Sequence, residues 1–241
     1  YPLLATMSII SLIILFFAPF DEGNEIPGAD IKDDIKQMFG LIAQQLVLVF
    51  VFSAFLFVMI EQGIMTWLPT FNDRVLKLPE NISIMMSSIL AVSLGIGRLL
   101  AGQLTKKYSW IQVLSVCLLA SMALVVFVLP KTVTAQVDNI QSFTDIPLIG
   151  FAFPLVGLFL APIYPMLNSV VLSALPKKLH SPMTGLIVIF SALGGTLGSR
   201  LIGWLFKNMG ADQAFYYTLI PMGFLFAAIF ILKRLTDKVS E

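Results

Sequence analysis

The stretch LIAQQLVLVFVFSAFLFVMIEQGIMTWLP, residues Leu41–Pro69, contains one charged side chain, Glu61. A helix that crosses about 30 Å of hydrocarbon needs about 20 largely apolar residues. The stretch is longer than this minimum, so it can cross a bilayer with tilt or a bend. It therefore predicts a membrane-spanning helix that carries an acid.

The composition of the whole chain indicates the same environment. Of 241 residues, 58% are hydrophobic and 12% are charged, whereas an ordinary soluble domain has about 25% charged residues. These proportions exclude a soluble globule, a disordered chain, collagen and a coiled coil. The net charge of +1 gives no basic field for nucleic acid.

The sequence also limits the chemistry that the chain can carry. The single cysteine, Cys117, excludes an intrachain disulfide, and with the single histidine, His180, it leaves too few ligands for a His/Cys metal site. No ATP-binding loop, metal motif or cofactor motif is present. We therefore expect no cofactor, no metal and no enzymatic activity.

Seven stretches are long and apolar enough to span a membrane, and short polar connections separate most of them. The longest hydrophilic stretch, DEGNEIPGADIKDDIK, separates the first two. The pattern predicts an all-α integral membrane protein, with a six-helix bundle preceded by one extra transmembrane helix. The seven spans are Pro2–Phe20, Leu41–Pro69, Ile82–Thr105, Trp110–Pro130, Leu148–Leu175, Met183–Phe206 and Gln213–Leu232.

The distribution of basic residues predicts the orientation of these helices. Nine Lys and Arg residues fall on the side of the linker, and four fall on the other side. Because basic loops stay inside the cell, we expect the linker and the C-terminus to be cytoplasmic.

A weak internal repeat accompanies the six later spans. GQLTKKYS at 102–109 and GWLFKNMG at 203–210 both read Gly-x-Leu-x-Lys, and they end the third and the sixth of the seven spans, about 100 residues apart. Two inverted three-helix repeats are typical of secondary transporters. The alternative is that glycine followed by lysine is a common way to end a span.

Ionisable side chains are costly inside a membrane and tend to face a cavity or a partner. Glu61 either faces a water-filled pathway, where it binds a polar solute or carries a proton, or is a structural acid paired with an arginine. Its position about eight residues before Pro69 predicts a depth off the midplane. Arg98 and Arg200 lie nearer span ends, which favours structural roles.

The segment APIYPMLN at 161–168 predicts a bent helix. Pro162 and Pro165 each remove a backbone donor, and the carbonyls that they free must be satisfied by protein or water. Tyr164 and Asn168 lie one turn apart on the same face. Such a helix can bind a neutral polyol, although its polar groups can equally bond a neighbouring helix.

Small residues are dense in two spans and predict close helix packing, at Gly97 and Gly102 in one and at Gly194 and Gly195 in the other. Trp67, six residues after Glu61, fits either an aromatic belt or a ring that stacks on a sugar.

Four motifs together carry a resemblance to a known family. They are EQGIMTWLPT from Glu61, IGRLLAG from Ile96, APIYPML from Ala161, and Leu193-Gly-Gly with Leu219-Ile-Pro. Over 41–235 the chain resembles the C-terminal six-helix half of a major facilitator superfamily transporter, and it is most similar to the fucose:proton symporter branch. By this resemblance, residues 1–20 correspond to the last helix of a missing N-terminal half, 21–40 to the central cytoplasmic linker, and 236–241 to a cytoplasmic tail.

The resemblance implies a function as well as a fold. It implies uptake of a monosaccharide with a coupling cation by alternating access, through one site shared with the missing six-helix half, in a bacterial cytoplasmic membrane. Glu61 corresponds to a substrate contact and, second, to a coupling group. The further substrate contacts are Gln62, Trp67, Tyr164 and Asn168. The residues assigned to structure and gating are Gly97, Arg98, Gly102, Lys106, Lys107, Pro162, Pro165, Gly194, Gly195 and Arg200.

The loop after the third span departs from the superfamily pattern Gly-x-x-x-Asp-Arg/Lys-x-Gly-Arg. Gly102 and Lys107 fit the pattern, but Lys106 stands at the acidic position, which weakens a gating role for this loop based on acid–base pairing. Other functions stay open: transport of an amino sugar, organic anion or drug, a non-transporting sensor, or a membrane enzyme.

Overall fold

The computed structural model describes residues 2–17, 31–134 and 143–240. Every regular element within these ranges is helical, so the expectation of an all-α membrane fold is confirmed. The chain divides into two units, residues 1–34 and 35–241.

The first unit contains helix α1, Pro2–Phe17, and the start of helix α2, Ile31–Gly40. The 16 residues of α1 are about 24 Å long, which is shorter than a full span, and its described side chains from Ala5 onward are exposed. Residues 18–20 of the predicted span and 21–30 of the predicted linker lie outside the described ranges. The end of that linker is helical rather than extended, because α2 covers it.

The second unit contains six helices that are long and apolar enough to cross a membrane. Each matches one of the predicted spans to within a few residues. They are α3, Gln45–Arg74; α4, Glu80–Leu104; α5, Trp110–Thr132; α6, Leu148–Ala174; α7, Lys177–Asn208; and α8, Ala211–Lys238.

At α3 the difference from the predicted boundary involves a proline. The helix continues through Pro69 to Arg74, although a proline removes one backbone hydrogen bond and usually ends or kinks a helix. Leu68 and Phe71 on either side of it are fully buried, so tertiary packing carries the helix through this position. The helix ends five residues later than the predicted span, and it also begins four residues later, at Gln45.

Helix α6 is built differently, from four short segments. The α-helical turn Leu148–Ala152, the 3-10 turn Phe153–Leu155 and the α-helical turn Val156–Leu160 precede the final segment, Ile163–Ala174. The last break falls at Pro162, as the sequence predicts. Pro165 lies in the first turn of the final segment, where a missing N–H costs little because that donor has no partner within the helix.

A seam of glycines joins α3 to α7. A Cβ at Gly194 would overlap the carbonyl oxygen of Phe55, and a Cβ at Gly198 would overlap that of Met59. The two helices run parallel, because a step of four residues along α7, from Gly194 to Gly198, matches a step of four along α3, from Phe55 to Met59. We call Gly194 and Gly198, with the Phe55 and Met59 carbonyls, the glycine seam. It brings two helix backbones into direct contact.

A second close contact joins α4 to α6. A Cβ at Gly97 would overlap the carbonyl oxygen of Leu158. This is the carbonyl to which residue 162 would donate in a continuous helix, and Pro162 has no N–H to give. Nothing lies within 4 Å of a Cβ built at Gly95 or Gly102, so close packing is confirmed at Gly97 and is wrong at Gly102.

Candidate functional site

Glu61 lies near the middle of α3, sixteen residues after Gln45 and thirteen before Arg74. The sequence predicts a depth off the membrane midplane, and this stays a prediction, although the helix continues for five residues past Pro69. The side chain is half-buried. The positive charge of Arg98, on α4, acts on it. A carboxylate in this position can accept hydrogen bonds from a hydroxylated solute or hold a proton. Arg98 is the arginine with which the alternative, structural role would pair it.

Tyr164 is held between α3 and α7. Its hydroxyl lies 3.0 Å from Oγ of Ser191, and its ring stacks on Phe57 with the ring centroids 5.7 Å apart. Ser191 is a polar group of the site that the sequence analysis did not identify. It lies 27 residues from Tyr164 along the chain, so no local spacing indicates the contact.

Asn168 lies one turn beyond Tyr164 on α6 and carries an unpaired acceptor. Among the buried side-chain oxygens and nitrogens of the described residues, its Oδ1 is the one without a hydrogen-bond partner. An unsatisfied buried polar atom costs about 1–3 kcal/mol, so native structures rarely keep one without a reason. The carboxamide is suited to accept a hydrogen bond from a solute hydroxyl.

The packing of α3 against α6 fixes the relative depth of these groups. The two helices run antiparallel, and the Phe57–Tyr164 stack places those two residues at the same level. Glu61 follows Phe57 by one turn in one direction, and Asn168 follows Tyr164 by one turn in the other. The two groups are therefore separated along the membrane normal by about 12 Å, with Tyr164 between them.

Gln62 and Trp67 face α7 instead. The Gln62 side chain packs against Gly195, with Cγ 3.1 Å from the position of an added Cβ. The Trp67 indole N–H donates to the Ser199 carbonyl oxygen over 2.7 Å, and its ring covers Gly203. Both substrate assignments stay predictions, and that of Trp67 is the weakest because its only polar atom is already bonded.

The remaining structural and gating assignments also stay predictions. Lys106 and Lys107 are exposed in the turn that follows α4, and Arg200 is exposed on α7. Pro162 is buried and Pro165 is exposed. The two members of the sequence repeat differ in structure, since Gly203 packs under Trp67 while Gly102 contacts no neighbour.

Comparison with protein families decides the classification. The model of the Major Facilitator Superfamily matches residues 2–140, more than half of the chain. The chain belongs to the Major Facilitator Superfamily. Superfamily members are membrane transporters of small molecules, so the chain is an integral membrane protein of a transporter family rather than of an enzyme family.

Two solved structures of this superfamily have the same fold. One is FucP in the outward conformation, with 19% sequence identity and a TM-score of 0.64, covering 96% of this chain and 52% of that one. The other is a variant of the E. coli fucose:proton symporter FucP, with 20% identity and a TM-score of 0.67, covering 95% of this chain and 54% of that one. This chain spans about half the length of both. No curated protein sequence matches it.

Proposed function

We propose that this chain forms one half of a secondary active transporter that carries a sugar with a cation by alternating access. The observation that supports this most directly is the unpaired buried Oδ1 of Asn168, one turn from the Tyr164–Ser191 hydroxyl pair. A monosaccharide presents many O–H donors on a compact neutral body. The unpaired acceptor of Asn168 and the Tyr164–Ser191 hydroxyl pair, one turn apart, are complementary to it, and the Glu61 carboxylate lies one turn from Tyr164 on the other side.

The proposed roles follow from the position of each group. Asn168 and Tyr164 bind the solute, and Glu61 contacts it from the other side of Tyr164 and is the candidate coupling group. Gln62, on the face of α3 that packs against α7, is a further contact for the solute. A second six-helix half completes the opposite wall of the pathway. The fucose:proton symporter named among the similar structures favours a sugar and a proton. We place the protein in a bacterial cytoplasmic membrane, with the linker and C-terminus inside.

Other solutes of the superfamily are the main alternative. An organic anion needs arginines in the pathway, and the sequence places only Arg98 and Arg200 well inside its spans. A hydrophobic drug would leave the Asn168 acceptor buried and unpaired. A non-transporting sensor needs the same binding groups and differs only in function, so experiment must separate it from a symporter.

The test is uptake by the full-length protein in proteoliposomes with an imposed inward proton gradient and a panel of labelled monosaccharides that includes fucose. We expect accumulation of at least one sugar, and loss of that accumulation with a protonophore. Asn168→Ala should raise the KM about tenfold, because one hydrogen bond to the solute is lost. Ser169→Ala, an exposed neighbour on the same helix, is the matched control.

Each contrary result identifies a different error. Sugar binding without gradient-driven uptake would indicate a sensor. Uptake of anions or drugs with no response to any sugar would overturn the substrate class. An unchanged KM in Asn168→Ala would remove the proposed site from this face of α6.

A further inference from the structure

A cavity of about 720 Å³ opens where α4 ends and α5 begins. Arg98 is its one charged lining residue in the described part of the chain, and Lys106 and Lys107 lie in the turn that forms its edge. The described lining thus holds one basic group and no acid, and the two exposed lysines of the neighbouring turn add positive charge beside it. Its polar and aromatic wall includes Arg98, Thr105, Tyr108, Ser109, Trp110 and Ser169.

An apolar groove of about 220 Å³ adjoins this cavity, and the Tyr108 ring lines both. The groove continues along α5 past Val113 and Val116 to Cys117, about 10 Å from Trp110 along the helix. Its one polar lining residue, Gln112, is engaged, because its Oε1 accepts hydrogen bonds from the Ser109 N–H and hydroxyl. The groove therefore presents an apolar surface along its whole length.

Neither space belongs to the proposed solute site. Ser169 lines the cavity, whereas Asn168, one residue earlier, points about 100° away around α6. Tyr164 likewise faces Phe57 and Ser191 rather than the cavity. Arg98 is the one residue that serves both regions.

We propose that the cavity and groove together bind one anionic phospholipid, with the phosphate among Arg98, Lys106 and Lys107 and an acyl chain in the groove. A mainly apolar cavity that carries one basic and several polar groups, beside an apolar groove, matches an amphiphile. Tyr108 lies in the turn after α4 and Trp110 begins α5, at a place where aromatic residues mark the depth of lipid headgroups, and the groove extends along α5 from there. Basic residues at this depth attract anionic lipid. The proposal does not depend on which solute the protein carries.

Native mass spectrometry of the delipidated full-length protein tests the headgroup contact. Phosphatidylglycerol should bind about tenfold more tightly than phosphatidylcholine of the same chain length. The double variant Lys106→Gln/Lys107→Gln should reduce phosphatidylglycerol binding to the level of phosphatidylcholine, since each lysine near the surface contributes attraction. Lys177→Gln/Lys178→Gln is the matched control, a second exposed lysine pair that lies outside the cavity, and should bind as wild type does.

The acyl contact has its own pair of variants. Val116→Trp fills the groove and should weaken phosphatidylglycerol binding about tenfold. Leu119→Trp adds the same ring at an exposed position of α5 outside the groove and should leave binding unchanged. Elution volume in size-exclusion chromatography checks that both variants are folded, and the lysine variants test the site without any change in packing.

Several outcomes would overturn the proposal. Equal binding of the two lipids, or equal effects of the two lysine pairs, would exclude a specific anionic site here. Displacement of the lipid by millimolar inorganic phosphate would indicate a site for the free anion instead. Wild-type binding in Val116→Trp would show that no acyl chain occupies the groove.

Discussion

Helices α3 and α6 both supply side chains to the candidate site, but they are built in opposite ways. Helix α3 runs for 30 residues without a break and is fixed against α7 by the glycine seam. Helix α6 reaches a similar length from four segments, with its last break at Pro162. The continuous helix carries the carboxylate, and the broken one carries the phenol and the unpaired amide. The site thus combines a rigid helix, α3, with a broken helix, α6, that presents the polar groups of Tyr164 and Asn168.

The largest expected effect on stability comes from disrupting the glycine seam that holds α3 against α7. Gly198→Ala places a methyl group on the Met59 carbonyl, and neither backbone can move without bending a long helix. We expect a loss of about 3 kcal/mol or more, which lowers the apparent Tm in detergent by roughly 6–12 °C. Gly95→Ala, at a position with nothing within 4 Å, is the control. An equal apparent Tm for the two variants would mean that the glycine seam does not fix α3 against α7.

A smaller effect is expected at the equivalent contact of the broken helix. Gly97→Ala meets the Leu158 carbonyl, but the break at Pro162 lets that segment of α6 shift. We expect about half the loss seen for Gly198→Ala, in the same thermal assay. An equal or larger loss would show that α6 is as rigid as α3 and would end the distinction drawn between them.

The unpaired amide on α6 predicts a change of opposite sign. Asn168→Leu keeps the approximate volume and removes the buried Oδ1 that lacks a partner, so stability should rise by about 1 kcal/mol while sugar uptake falls. Measurement of Tm and uptake on one preparation checks both. A variant that melts at a lower temperature than wild type would indicate that Asn168 has a structural partner rather than a functional one.

The smallest expected effect is at Trp67. Trp67→Phe removes the N–H that donates to Ser199 and keeps most of the ring packing, so we expect a loss of about 0.5–1.5 kcal/mol and an unchanged KM for sugar. Thermal melting and uptake kinetics separate the two effects. A raised KM with unchanged melting would restore Trp67 to the set of substrate contacts.

The sequence predicts the helices well because hydropathy depends on composition over many residues. It predicts the break at Pro162 because proline acts locally. It does not predict that α3 continues past Pro69, because the burial of Leu68 and Phe71 that carries the helix through the proline is a tertiary property. Glycine spacing predicts close packing but not its face, which is why Gly97 packs tightly and Gly102 does not.

Side-chain partners are the least predictable feature. The Tyr164–Ser191 pair joins residues of different helices, and the unpaired state of Asn168 depends on every group around it. Sequence reasoning selects Tyr164 and Asn168 as polar residues on one face. It does not identify Ser191 as the partner of Tyr164, and it does not show that Oδ1 of Asn168 lacks a hydrogen-bond donor.

The bond between Trp67 and Ser199 also bears on the order of events during synthesis. Its two ends are 132 residues apart, and a ribosome adds about 5–20 residues per second, so Ser199 is made roughly 7–26 s after Trp67. Throughout that interval α3 is already available for membrane insertion, while the helix that covers its seam face does not yet exist. The contact between α3 and α7 is therefore completed late in synthesis, and the nascent chain must keep the seam face of α3 uncovered until α7 arrives.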